Sequence, residues 1–308
     1  MDGKRLSYAL RNLLNEEDGS NQLDAFTTFD LLNDGAAKLN RKLRHITADQ
    51  SITTVADQSD YTLDAEFITL YREETLGKYL TKYSDGTTMY NLTEIDDDVR
   101  FRNQSNETVT SQSIPSGFSV MFDQTEDSQV TGTATSTVAK VAGKTTLNDT
   151  AADFSDVSPG DTIHNTSDGS LGVVLSKTSS TVLVTALFGG TANDWTSTDA
   201  YVIQPQARYK IVLNPPPSTT GHTITVPYIK RPKPVYSDYD MFMFPNHFKN
   251  ALLFYAAGFY KYRESQPNEG NVWFGQADLA VKEATQSSNK TLNRRRVEVN
   301  FKRRQRNS

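Results

Sequence analysis

The apolar positions in the first fifty residues follow a helical pattern. Leu6, Leu10, Leu13 and Leu14 recur at helical spacing, which predicts a short helix that stops at the polar run 15–21. A second stripe predicts a longer helix over about 22–45, with Asn21 as its N-cap and Asp24 in its first turn. Its apolar positions are Phe29, Leu32, Ala36, Leu39, Leu43 and Ile46. We expect this stripe to pack within its own subunit or against an identical neighbour, although Gly35 within it weakens the helix.

Between residues 51 and 122 the apolar positions alternate with polar ones, as they do in strands. Residues 52–55 and 61–63 predict a strand, a turn and a second strand, and Phe118, Val120 and Phe122 alternate cleanly. The sequence therefore predicts a β-rich region after the helices.

Residues 127–205 differ in composition from the rest of the chain. Serine and threonine supply about a third of them, arginine is absent, and three lysines stand against eight acidic residues. Short β-branched segments between Gly and Asp turns predict a small β-barrel or sandwich. We interpret these residues as an autonomous domain inserted into a host domain, with disorder as the alternative.

After residue 205 the host pattern resumes. Residues 207–213 and 223–229 predict two strands, and a helix is predicted to begin near Pro245. The apolar positions of that helix are Phe248, Leu252, Tyr255, Phe259 and Tyr262, and those of the next are Phe274, Ala277, Val281 and Ala284. The two helices are expected to form a hairpin.

The C-terminal residues 294–308 form a basic arm on an acidic protein. Residues 294–306 carry a net charge of +6 and the other residues −11, which together give the total of −5. Such an arm is typical of contact with nucleic acid or an acidic protein surface, and a solvated terminus is the alternative. The alternation of Val297, Val299 and Phe301 with polar residues predicts a strand that is disordered or joins another chain's sheet. The arm's basic residues are Arg294, Arg295, Arg296, Lys302, Arg303, Arg304 and Arg306.

The composition and the motifs exclude several functional classes. The chain has no cysteine, which excludes disulfides, thiolate metal sites and a cysteine nucleophile. Its longest apolar stretch, residues 251–260, is too short to span a bilayer, and the N-terminus lacks a signal-peptide core, so we expect a soluble protein made in a reducing compartment. The four histidines are scattered, and the acidic run 96–98 lacks the alternating ligands and central glycine of a calcium loop. We therefore expect no catalytic site, no cofactor and no metal.

The order of five segments resembles the head–tail adaptor (connector) proteins of tailed bacteriophages. The segments are RNLLNE (11–16), ITTVADQSDYTLDAEFITL (52–70), YKIVLNPPPS (209–218), TITVPYIKRPKPV (223–235) and FPNHFKNALLFYAAGFYKYRE (244–264). The insert in turn resembles a small β-module of phage structural proteins, and the residues that carry this likeness are Asp149, Phe154, Gly160, Asp161 and Tyr201.

The resemblance implies a homo-oligomeric, usually dodecameric, ring at the head–tail junction of a virion. Such a ring lies below the portal, extends the DNA channel and connects the capsid to the tail. Its partners are the portal protein, tail or nozzle proteins and DNA that passes without sequence-specific binding, and the subunit is made in the host cytoplasm. The acidic body fits a channel wall, because a wall that attracted phosphates would impede DNA passage. We expect the basic arm to bind either the portal or DNA.

Together these observations predict an α+β fold with a helical core, a β-rich face and an inserted small β-barrel. The domains are 1–126 with 206–293 as the adaptor core, 127–205 as the insert, and 294–308 as the arm. Core or subunit packing is assigned to Phe29, Leu32, Leu39, Leu43, Phe248, Leu252, Tyr255, Phe259 and Tyr262. The alternatives are a tail-completion or tail-nozzle component, a surface or glycan-binding module carried by the insert, and an enzyme.

Overall fold

The computed structural model describes residues 1–16, 23–73, 77–96, 114–123 and 129–305, and of residues 287–305 it describes the backbone alone. The chain divides into two compact units. The helical unit comprises Met1–Leu39 and Val235–Ser308, and the β unit comprises Asn40–Pro234. Because helices and several sheets both occur, the fold is mixed α+β, as the sequence predicts.

The helices include most residues of the predicted hydrophobic stripes, and the last helix extends well beyond its stripe. They are α1 (Gly3–Leu14), α2 (Ala25–Leu43), α3 (Lys249–Arg263) and α4 (Pro267–Gln305), and a 3-10 turn over Asn246–Phe248 precedes α3. The helical hairpin predicted after Pro245 is thus present as α3 and α4. Among the described residues, no helix is long and apolar enough to cross a membrane.

The start of α2 differs from the prediction by a few residues. Asp24 precedes the helix, and its carboxylate accepts a 2.6 Å hydrogen bond from the Thr27 amide, which is the bond of an N-cap. Asn21, the predicted cap, lies outside the described residues. A carboxylate at this position accepts a hydrogen bond from an amide that has no partner within the helix. Its negative charge also interacts favourably with the positive end of the helix dipole.

Gly35 is compatible with α2 because another helix lies against it. A Cβ at this position would stand 3.0 Å from the Leu252 carbonyl oxygen and 3.2 Å from the Ala256 amide nitrogen of α3. The glycine therefore permits close backbone approach between two helices, and packing offsets its low helix propensity.

The β unit contains three sheets. Its strands are β1 (Thr47–Thr53), β2 (Asp60–Thr62), β3 (Phe67–Leu70), β4 (Lys82–Ser84), β5 (Met89–Asn91), β6 (Thr93–Glu94), β7 (Gly117–Phe122), β8 (Val130–Thr133), β9 (Thr145–Asn148), β10 (Thr162–Asn165), β11 (Ser170–Ser179), β12 (Val182–Phe188), β13 (Ala200–Gln204), β14 (Tyr209–Asn214) and β15 (Thr223–Lys230).

Two of the sheets share one hydrophobic core. One has the order β1-β15-β4-β5 with β3 also paired to β15, and the other has the order β2-β14-β7-β6. Side chains from both sheets form a single buried cluster that includes Tyr61, Tyr83, Phe118, Ile211 and Tyr228. The alternating segments of the sequence therefore form two layers that bury their apolar faces against each other.

The third sheet is a curled half-barrel within the predicted insert. Its order is β8-β13-β10-β11-β12-β9, so β8 and β9 are its edges, whereas the sequence predicts a small β-barrel or sandwich. Phe154, Val157 and Trp195 join the buried core from segments between strands. Loop side chains thus cover the apolar interior without further strands.

The predicted insert lies between strands β7 and β14, which pair with each other. Strands β7 and β14 pair antiparallel, with Phe122 opposite Tyr209 at one end. At the base of the insert, β8 pairs antiparallel with β13, so the insert's first and last strands are neighbours. The chain therefore leaves and re-enters the host sheet at adjacent points.

The predicted terminal strand is wrong for this chain. Helix α4 continues through Val297, Val299 and Phe301 to Gln305. A helix satisfies its backbone hydrogen bonds within one segment, whereas a lone strand requires a partner chain. Arg306 lies outside the described residues, as do the side chains of the rest of the arm.

Candidate interaction surfaces

Most of the predicted packing residues lie inside the subunit. Phe29, Leu32, Leu39, Phe248, Leu252 and Tyr255 are at most 4 % exposed. Leu43 and Phe259 are half-buried, and Tyr262 is exposed. The regular stripe on α2 and the apolar face of α3 thus serve the subunit's own core, and a surface for neighbours must come from other residues.

One short segment of the helical unit exposes three large apolar side chains. Tyr239, Met241 and Met243 are 77 %, 69 % and 73 % exposed, whereas Phe242 and Phe244 between and beyond them are buried. The sequence shows this alternation as MFMF, but it does not show which face is buried. Periodicity does not reveal these residues as a surface, because the segment is too short for a helix or strand pattern.

The N-terminus holds this segment in place. The Met1 amino group donates to the Phe242 carbonyl at 2.8 Å, the Phe242 amide donates to the Met1 carbonyl at 2.7 Å, and the Gly3 amide donates to the Asp240 carbonyl at 2.9 Å. Gly3 is required here because a Cβ would stand 2.6 Å from the Ser237 carbonyl oxygen. The exposed methionines are therefore presented on a fixed backbone.

A groove of about 570 Å³ adjoins the segment. Met241 forms part of its lining, together with Met1, Asp2, Arg5, Leu6, Asn246 and Lys249. Tyr8 on α1 is a further exposed aromatic of the same unit. This combination of apolar side chains with both signs of charge is typical of a protein-binding surface.

Helix α4 presents a second apolar face. Val272 and Leu279 are both exposed and lie seven residues apart, so they share one side of the helix. Tyr262 of α3 stacks on Phe274 of α4, with ring centroids 5.5 Å apart. The helical unit thus carries two separate sets of exposed apolar residues.

The aromatic residues of the insert are largely structural. Phe154, Trp195 and Tyr201 are buried in its core, and Phe188 is half-buried. The Tyr201 hydroxyl donates to Asp149 at 2.8 Å. Burial raises the pKa of Tyr201, and the hydrogen bond to the carboxylate acts in the same direction.

The buried carboxylate Asp161 binds the insert to its exit segment. It accepts hydrogen bonds from the Ser158 amide at 2.8 Å and the Gln206 amide at 3.1 Å. Burial raises the pKa of Asp161, against the lowering effect of these amide donors. Arg231 in turn donates to the Gln206 side chain. Asp161, one of the residues that carry the likeness to the β-module, therefore joins the predicted insert to the segment that leads into β14.

The described residues show no cluster of metal-ligating side chains. No group of three His, Asp or Glu residues is placed to hold an ion within this part of the chain. Asp97 and Asp98 of the acidic run lie outside the described residues. His247 packs against Phe248 with ring centroids 4.3 Å apart, and His222 shares a 2.5 Å hydrogen bond with Tyr83.

The basic arm is described as backbone only. Arg294, Arg295, Arg296, Lys302, Arg303 and Arg304 all lie on helix α4, which the sequence does not predict beyond Ala284. Whether the arm binds the portal or DNA stays a prediction.

The chain matches the model of a known protein family. The family model described as SU10 adaptor protein matches residues 121–299, which is more than half of the chain and runs from β7 through the insert into α4. No curated protein matches the sequence. The match includes the whole half-barrel, strand β14 and most of the helical hairpin. Because it covers more than half of the chain, the chain belongs to the SU10 adaptor protein family.

Proposed function

We propose that the protein is a structural subunit of a phage virion, a head–tail adaptor that forms a ring below the portal. In this role it extends the DNA channel and connects the capsid to the tail, and it performs no catalysis. The family supports a phage adaptor. The observation that carries the assembly part of the proposal is the exposed apolar surface of the helical unit.

A ring of identical subunits needs two different surfaces on each subunit. Head-to-tail contacts join one patch to another, in contrast to a two-fold dimer, which joins a patch to itself. The segment with Tyr239, Met241 and Met243 and the α4 face with Val272 and Leu279 supply two such apolar patches. Since a soluble monomer rarely exposes several large apolar residues together, these patches favour burial in an assembly.

The basic arm and the insert have supporting roles in this proposal. The arm carries seven basic residues and docks on acidic groups of the portal, as a helix in place of the predicted strand. The insert is a separate small β-module on the β unit. Its buried aromatics give little support to a glycan-binding platform, because sugar sites need exposed rings.

Mass measurement of the purified protein, alone and with portal, tests ring formation. We expect a monomer alone and a ring when the portal is present. The double variant M241E/M243E should lose the ring, since each buried methionine contributes about 1.5–3 kcal/mol to an interface. The matched control is M89E, because Met89 is 70 % exposed but lies in the β unit. A double variant that assembles like M89E would show that the methionine segment is not an interface.

Removal of residues 294–308 tests the arm. The truncated subunit should fold but fail to join portal-containing heads. A second variant with every arm arginine changed to lysine keeps the charge and should attach, whereas a glutamine series should not. Normal attachment of the truncated protein contradicts the portal contact. An affinity of the arm peptide for DNA that falls with rising salt would favour the DNA alternative. A position of the protein farther down the particle, seen by cryo-EM, would favour a tail-nozzle component.

A further inference from the structure

The β unit contains a second groove that the adaptor role does not explain. It has a volume of about 480 Å³ and is lined by three arginines, two tyrosines, one threonine and three aliphatic residues: Arg41, Arg44, Arg72, Tyr79, Tyr209, Thr69, Ile68, Leu70 and Ile229. These residues come from five separate parts of the chain. The fold therefore gathers three guanidinium groups into one concave surface.

The arginines are held by the local backbone and by an aromatic ring. Arg72 donates from Nε to the Gly77 carbonyl at 2.6 Å, and its guanidinium lies 5.8 Å from the Tyr79 ring centroid. Arg44 adopts a left-handed φ of 54° where α2 ends, and its side chain reaches the Arg72 carbonyl at 3.5 Å. This preorganisation lowers the entropy cost of binding an anion.

The groove has an excess of positive charge. Among the described residues, neither Arg41 nor Arg72 forms an ion pair with a carboxylate. Like-charged guanidinium groups repel one another, and an anion that binds against Arg41 and Arg72 offsets that repulsion. Guanidinium groups bind carboxylates and phosphates alike through paired N–H donors, so charge alone does not choose between them.

The strand that borders the groove favours a peptide. Strand β3 contributes three of its four residues to the lining, and within the described part of the chain it pairs with β15 alone. An edge strand offers N–H and C=O groups in register for an added peptide strand, which a nucleic acid does not use. The neighbouring Phe122 is 61 % exposed and stacks on Tyr209 at 4.6 Å, which extends the apolar wall.

We propose that this groove binds an extended acidic segment of another protein subunit, which adds to β3 as a strand and places its carboxylates against Arg41, Arg44 and Arg72. The inference goes beyond the adaptor role and does not require the ring.

Binding of a short synthetic peptide with alternating Asp and Val to the full-length protein tests the site. The peptide must be long enough to pair with all of β3, and a Lys–Val peptide serves as the charge control. We expect binding of the acidic peptide alone, with affinity at least about tenfold lower for R41Q/R72Q. The matched control K144Q/K233Q removes the same charge from exposed or half-buried lysines of the β unit and should change affinity less than twofold. Because loss of Arg72 could disturb the local fold, the single variant R41Q is measured as well, and it should also bind the acidic peptide more weakly than wild type.

Two further probes decide the mode of binding. A peptide with methylated backbone nitrogens cannot pair with β3 and should bind much more weakly. Equal affinity for the methylated peptide, or for R41Q/R72Q and wild type, overturns the proposal. Oligothymidylate is the competing ligand. If it displaces the acidic peptide and binds R41Q/R72Q more weakly than wild type, the groove binds phosphates and the proposal is overturned. None of these outcomes depends on portal or ring formation, so they are separate from the tests of the adaptor role.

Discussion

Lys38 of α2 occupies an aromatic cage in the helical unit. Its ammonium nitrogen lies 3.2 Å from the ring centroid of Phe274 and 5.4 Å and 5.2 Å from those of Tyr255 and Phe259. A cation over the face of a ring is attracted by the ring's quadrupole, and partial burial strengthens that attraction. One lysine thus links α2 to both helices of the hairpin.

Replacing Lys38 with Met should lower the free energy of unfolding of the helical unit by about 1–2 kcal/mol. Methionine keeps the length of the side chain and removes the charge. Urea unfolding followed by the helical circular dichroism signal measures the loss, and K282M on the exposed side of α4 is the control, with an expected change within about 0.5 kcal/mol. Equal stability of K38M and wild type would show that the cage contributes no cation–π energy.

At the scale of elements, two glycines of the helical hairpin have opposite surroundings. A Cβ on Gly258 of α3 would overlap the ring of Phe274, whereas nothing lies within 4 Å of a Cβ on Gly275 of α4. The Phe274 ring cannot move aside easily, because it also contacts Tyr255 and Phe259. The first glycine is needed for packing and the second is not.

We therefore expect G258A to destabilise the protein by about 1–3 kcal/mol through overpacking. G275A should stabilise it by about 0.5–1 kcal/mol, because alanine favours the helix over glycine. Thermal unfolding of the two variants, compared with wild type, measures both effects. Changes of the same sign in the two variants would contradict this account of the α3–α4 contact.

The insert offers a test of element-level independence. Asp123 donates from its amide to the Arg208 carbonyl at 2.9 Å, next to the Phe122–Tyr209 pair. A chain in which Asn-Gly replaces everything between Asp123 and Arg208 should close the host strands as an ordinary hairpin, since this dipeptide suits a two-residue turn. We expect the excised protein to fold, and residues 129–205 to fold alone with a buried Trp195.

Circular dichroism and tryptophan fluorescence of both fragments check this expectation. The control closes the same excision with Val-Val, which resists the positive φ of that turn and should lower the melting temperature. An excised host that is unfolded with either closure would show that the insert supports the host core.

The sequence predicts elements well where their periodicity is long and regular. The stripes of α1, α2 and α3 specify those helices, because each helix must bury one face in its own core. The tail shows the limit of this reasoning, since Val297, Val299 and Phe301 alternate as in a strand and yet lie on α4. Over so few residues, backbone hydrogen bonding within the segment decides the structure.

At the scale of the whole molecule, the surfaces were the hardest features to predict. The arginine groove combines Arg41, Arg72 and Tyr209, which are distant in sequence and come together only in the tertiary fold. The exposed methionines depend on the Met1–Phe242 pairing, which no local pattern encodes. Periodicity identifies which residues are buried, whereas tertiary contacts determine which exposed residues lie together on one surface.

Five buried tyrosines connect the stability of the whole molecule to pH. Burial raises the pKa of all five above the ordinary value, and a hydrogen-bonded carboxylate adds to the shift. They are Tyr201, Tyr228, Tyr236, Tyr255 and Tyr260, whose hydroxyls donate to Asp149, Asp64, Asp30, Asp278 and Glu16. Each unit thus contains buried hydrogen bonds of this kind, from a tyrosine hydroxyl to a carboxylate.

These tyrosines predict a loss of stability in alkali. Because the folded pKa of each lies above the unfolded value of about 10, their contribution is complete below pH 10 and falls as pH rises toward the folded pKa. Urea unfolding at a series of pH values should show a free energy that declines from about pH 10 upward. The variant Y228F should decline less steeply, whereas Y239F should match wild type because Tyr239 is 77 % exposed. Reversible ionisation of all fourteen tyrosines near pH 10 in the folded protein, measured by tyrosinate absorbance, would contradict the proposed role of these hydroxyl–carboxylate pairs.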